Sequence, residues 1–157
     1  MKEFIEQTKT FLIETEKKLR SISEETSGFK PAPNKWSKKE ILGHLVDSSV
    51  NNTTRFVNGQ FQDNLIFPGY DQDKWVAAQN YQSAKWNFII DLWKQNNMQM
   101  VRILESMPDQ VRTKKHSRHN FDVIEWKEVP QSELVTLDYL IRDYYGHMKY
   151  HLAQIIK

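Results

Sequence analysis

The chain has no cysteine in its 157 residues, which removes disulfides, thiolate metal ligands and a cysteine nucleophile together. That absence fits a reducing compartment, and a cytoplasmic location is the expectation. No stretch approaches the ~18 consecutive apolar residues of a membrane span. The first segment, MKEFIEQTKTFLIETEKKL, mixes charges with apolar residues where a secretory signal needs an unbroken apolar run. Charge of one sign is also lacking: 22 Lys and Arg face 20 Asp and Glu, a net charge of +2, so there is no electrostatic footprint for nucleic acid. Glycine and proline number five each, and most of them punctuate the chain between periodic segments.

What is present is ordinary for a globular protein: 39% hydrophobic, 12% aromatic and 27% charged residues. At this length a single domain, residues 1–157, is the simplest organisation and is large enough to close a core. Four segments carry helical periodicity. The first runs from about Lys2 to Ser23, with Phe4, Ile5, Phe11, Leu12, Leu19 and Ile22 as its apolar stripe. The second opens at Ser37, whose spacing to Glu40 is that of a capping box, and runs to about Gly59. The third covers about Ser83 to Met107, stopped by Pro108, and the fourth opens at Thr136 as N-cap with Asp138 in its first turn.

Two connections are long. Gly59 to Gln82 contains the Pro68-Gly69 turn and the aromatics Tyr70, Trp75 and Tyr81, which give it the means to pack. Asp109 to Ser132 is polar and basic, with Val123, Ile124, Trp126 and Val129 as either a short strand or an extended cover. The fold class these segments predict is all-α, a four-helix bundle with long connections after the second and third helices. Trp86 and Trp93 on the third helix are candidates for a surface facing a second subunit.

The chemistry-bearing feature lies in the last segment. In GHMKYHLAQI, His147 and His151 stand four apart, so both imidazoles leave one face of the helix on adjacent turns. Leu140, Tyr144 and Ile155 share that face, which places the pair toward the core. One buried histidine is usually a satisfied core residue, whereas two at this spacing can clamp a metal ion. A third imidazole would complete an open facial set suited to a divalent first-row metal. His44 borders the buried face of the second segment. His116 and His119 lie in a basic stretch with Arg112, Lys114, Lys115 and Arg118 and are expected to be solvated.

The run NKWSKKEILGHLVDSSVNNTTRF, Asn34 to Phe56, resembles the signature of the DinB superfamily: a Trp-Ser start, a Gly-His-Leu-x-Asp centre, then Ser, Asn and Arg-Phe in order. YDQDKW and the closing TLDYLIRDYYGHMKYHLAQI are similar to the YfiT-type branch of metal-dependent hydrolases, which includes a bacillithiol S-transferase. The resemblance implies one divalent metal ion, zinc or nickel, held by His44, His147 and His151, with a small-molecule substrate and a homodimeric state. It leaves two reactions open, hydrolysis and transfer of a low-molecular-weight thiol serving as cosubstrate. Where that family often carries further histidines this chain has Ser49 and Tyr150, neither of them a ligand position.

Around such a centre, a carboxylate usually accepts the second N–H of a ligating imidazole. Asp47 and Asp143 are the candidates, three residues after His44 and four before His147, with an exposed helix charge as the other reading of Asp143. Asn51 and Arg55 continue along the helix from His44 as substrate-orienting candidates, Arg55 alternatively pairing with an acid on a neighbouring helix. No general base of the H-E-x-x-H kind accompanies the histidine pair. A non-catalytic module with a structural or vestigial site remains the alternative, and a fourth protein ligand would mark it.

Overall fold

A computed structural model describes residues 1–156. Eight α-helices follow one another: α1 (Lys2–Arg20), α2 (Glu24–Gly28), α3 (Lys38–Asn58), α4 (Gln72–Gln79), α5 (Trp86–Ser106), α6 (Asp109–Thr113), α7 (Phe121–Ile124) and α8 (Leu137–Ile155), with a three-residue 3₁₀ turn, Tyr81–Ser83, before α5. The four long ones, α1, α3, α5 and α8, are the four periodic segments of the sequence. Around the bundle α1 packs on α5, α5 on α3 and α3 on α8. Phe4 against Tyr145 and Lys149 over Phe11 close the ring between α1 and α8. Helices α1 and α3 therefore lie across a diagonal, as do α5 and α8, so two of the three connections cross the bundle.

The helix starts follow local chemistry. Ser37 accepts the backbone N–H of Glu40 at 3.3 Å while the Glu40 carboxylate accepts that of Ser37 at 2.8 Å, the reciprocal pairing expected. The Thr136 hydroxyl accepts the N–H of Tyr139 at 3.1 Å. At the other end of α8 the Lys38 ammonium meets the Ile155 carbonyl, a cation on the negative end of the helix. That contact sets α3 and α8 antiparallel.

The connections are less irregular than their composition predicts. The first helix ends at Arg20 rather than Ser23, because Ser23 caps the separate helix α2 by accepting from Thr26. Lys39, buried, donates to Glu24 at 2.6 Å, and the other Glu24 oxygen accepts the N–H of Trp86, the first residue of α5, at 2.9 Å. One short helix thus ties α3 to the start of α5. The connection after α3 holds α4, capped by Asp71 and ended by Asn80 at φ 50°. Tyr70 and Trp75 pack on each other with ring centroids 5.2 Å apart.

Residues 123–129 form no strand: Val123 and Ile124 end α7, and Trp126 and Val129 follow as extended cover. His116 and His119 are corrected from solvated to buried, at 3% and 5% exposure. The basic stretch docks between two other segments, His116 exchanging backbone hydrogen bonds with Val135 and Leu65 bonding Arg118 and Asn120. Their rings donate to the carbonyls of Asp63 and Glu133. Trp86 and Trp93 are core residues, 2% and 0% exposed, and offer nothing to a second subunit. No described helix is long and apolar enough to cross a membrane.

Candidate metal centre

Antiparallel packing of α3 against α8 brings the second turn of one beside the last turns of the other. His44, His147 and His151 meet there, each offering a ring nitrogen, all three nitrogens within 4.8 Å of one another. The Nε2 atoms of His44 and His147 are 3.3 Å apart. That separation is close to the edge of a tetrahedron whose metal–nitrogen bonds are about 2.0–2.1 Å. Ring centroids lie 4.6–5.2 Å apart, with Trp36 against His44 and Trp126 against His147.

The electrostatics agree with a site built for a cation to be added. Burial and the neighbouring imidazoles pull the pKa of His44 down to about 4 and that of His147 to about 3, and burial lowers His151 as well. All three rings are therefore neutral, the form that ligates. The Nδ1 atoms of His44 and His151 are buried without a hydrogen-bond partner, and orphaned buried nitrogens are costly unless something satisfies the ring. Among the described residues no acidic side chain or fourth histidine joins the three.

From the histidines a cavity of about 270 Å³ runs along α3 and α8. Its α3 wall is His44, Ser48, Asn52 and Arg55; α8 supplies Asp143, Tyr144 and His147; Tyr70 and residues 123–126 close it from the connections. At about 100° per residue, Ser48 and Asn52 sit roughly 40° and 80° to one side of His44, with Arg55 at about 20°. Asp47 and Asn51 fall on the other side, about 60° and 20° away. Asn52 lines the cavity wall and Asn51 does not; the Asn51 amide donates to the carbonyl of Asp47 in its own helix at 2.9 Å.

Neither candidate acid bonds an imidazole. Asp47 is fully buried, and its Oδ1 accepts the Tyr81 hydroxyl at 2.6 Å and the Gln79 amide, while Oδ2 has no partner. Burial pushes its pKa up to about 6, opposed by the Tyr81 hydroxyl. This contact requires Gly43, since a Cβ there would stand 2.2 Å from two ring carbons of Tyr81. Asp47 thus fastens the connection after α3 onto the helix that carries His44. Asp143 is buried, not an exposed charge, and its two oxygens accept the backbone N–H groups of Trp126 at 2.8 Å and Lys127 at 3.1 Å. It pins the segment that places Trp126 on His147.

Arg55 is 6% exposed and donates to the Pro68 carbonyl at 3.2 Å. Glu125, which sequence reasoning missed, lines the same cavity with Oε1 buried and unpartnered. Burial and the adjacent Asp143 carboxyl push its pKa up to about 9. No sequence signal marked it, because it sits in an aperiodic stretch and is buried only by the docking of that stretch on α8.

The model of the DinB superfamily matches residues 12–155. Among solved structures, YfiT from Bacillus subtilis, described as "a probable metal-dependent hydrolase with an unusual four-helix bundle topology", superposes with a TM-score of 0.74 at 19% identity. The match covers 99% of this chain and 85% of that one. No curated protein sequence matches.

Proposed function

The chain belongs to the DinB superfamily, and from that membership we propose that it is a metal-dependent hydrolase acting on a small polar substrate. The observation that carries the reading is an open set of three neutral imidazoles, two of which, His44 and His147, line a cavity: three protein ligands and adjoining free space suit catalysis, whereas structural sites recruit a fourth ligand. His44, His147 and His151 hold one divalent ion, zinc or nickel. Such an ion would supply Lewis acidity to the cavity beside it. Ser48, Asn52, Tyr70 and Arg55 line the path to it and orient the substrate, and Asp47 and Asp143 act as positioning residues through Tyr81 and the 125–127 segment. Trp36 and Trp126 exclude bulk water from the ligand rings.

Metal analysis tests the ligand set: the wild type is expected to carry about one divalent ion per chain, and His151→Ala or His44→Ala to lose most of it. Retention of wild-type occupancy in both variants rejects the set. The reaction is tested on the metal-loaded protein with a panel of small esters and amides, run beside small thiols with an electrophile. Thiol-independent cleavage supports hydrolysis. Turnover only with a thiol replaces hydrolysis by thiol transfer at the same centre, and inactivity of a fully loaded protein on both panels favours the non-catalytic module.

A further inference from the structure

A buried guanidinium normally meets a carboxylate, because a charge taken out of water needs a counter-charge. Arg55 has none. Its acceptors are two neutral oxygens, Pro68 O at 3.2 Å and Asn52 Oδ1 at 3.5 Å, and it forms no ion pair among the described residues. Guanidinium carries five N–H donors, so most of its capacity is unspent and lies on the cavity wall. The one carboxyl nearby that shares the cavity and feels Arg55 is Glu125. Glu125 stays neutral because it is buried beside the Asp143 carboxyl, whose two oxygens are taken up by the backbone N–H groups of Trp126 and Lys127. The carboxyl pair therefore withholds the counter-ion that the guanidinium lacks.

We propose that Arg55 is the seat for a carboxylate group of the substrate, and that the Glu125 and Asp143 pair keeps this seat open. The substrate class of the site is then a small acid whose anionic group lies on Arg55 while the bond to be broken faces the histidines. This deepens the hydrolase reading and rests on it for the reaction, but the seat itself is a binding property that needs no turnover. Asn52 and Tyr70 complete the lining around the anion. A monoanion matches the charge of one guanidinium.

The test is titration of the metal-loaded protein with acetate, inorganic phosphate and uncharged acetamide, followed by the side-chain N–H resonance of Arg55. Acetate is expected to shift that resonance saturably and acetamide to leave it unmoved; Arg55→Gln should weaken acetate binding at least about tenfold with metal content unchanged. In the wild type acetate binding falls as pH rises past about 9, where ionised Glu125 competes for Arg55. In Glu125→Gln that fall disappears. The other groups that face Glu125, namely Asp143 and Tyr139 on α8 and Arg55 on α3, together with Tyr70, His44 and His147 around the cavity, are common to both proteins. Should Arg55→Gln fail to fold, the comparison of pH profiles decides alone. Acetate affinity unchanged in Arg55→Gln, identical pH profiles, or preference for phosphate overturns the proposal. Acetate binding by His151→Ala lacking its metal supports the seat independently, so a failed metal assignment and a failed seat give different results.

Discussion

Replacing Glu125 by Gln is expected to stabilise the protein, and by an amount that grows with pH. In the folded chain the Glu125 carboxyl is held to about 9 against 4.5 for the free group. The unfolded chain releases this proton above 4.5, whereas the native state keeps it until about 9. Across that window the unfolded state binds fewer protons, so native stability is lost as pH rises. Near pH 8 the gap is about 3.5 units, and at about 1.36 kcal/mol per unit the limit is about 5 kcal/mol. Some relaxation around the ionised group brings the expected gain to about 2–4 kcal/mol. Near pH 5 it shrinks to under about 1 kcal/mol. Glutamine keeps the shape and the neutral charge without the proton cost. Urea denaturation of wild type and Glu125→Gln, with matched metal content, should give nearly coincident curves at pH 5. At pH 8 the midpoints should differ by about 1–2 M, taking a slope of about 2 kcal/mol/M. A difference that is independent of pH, or a variant less stable at pH 8, refutes the reasoning. A stabilising substitution on a cavity wall is what a functional residue retained at the expense of stability looks like.

Two further outcomes follow from the same geometry. With His44 held at about 4 and His147 at about 3, both below the free value of 6.5, the unfolded chain takes up protons first as pH falls. Stability present above about 6.5 should therefore decline toward pH 4, by about 2 kcal/mol per ring at pH 5, and chelator-treated His147→Gln should show a shallower decline in urea melts. Gly43→Ala should destabilise by about 1.5–5 kcal/mol: forcing the buried Tyr81 ring aside costs about 1–3 and the Asp47 hydrogen bond about 1.5–3, against about 1 regained in helix propensity. Thermal melts should fall by about 5–15 °C. An unchanged melting temperature would show that the ring moves freely.

Periodicity and caps determined the long helices, because an amphipathic stripe with a Ser37 or Thr136 start can be satisfied in few other ways. The i, i+4 spacing of His147 and His151 likewise fixed a two-imidazole face before any packing was known. Family resemblance added His44, and the structure brought it within 3.3 Å of His147. What the sequence could not decide is which flank of α3 faces a cavity. That depends on how the connections fold back: Asn52 rather than Asn51 lines the wall, and Asp47 answers to Tyr81 rather than to His44. His116 and His119 read as exposed because basic neighbours surround them, yet they are buried by backbone pairing with segments far away in the chain. Glu125 is the plainest case. Alone it is an unremarked acid in an aperiodic stretch, and only the docking of residues 121–129 against α8, through the Asp143 carboxylate, buries it beside Arg55. Local chemistry sets helices and spacings, while burial and the charge state of a carboxyl are set by whatever the rest of the chain packs around it.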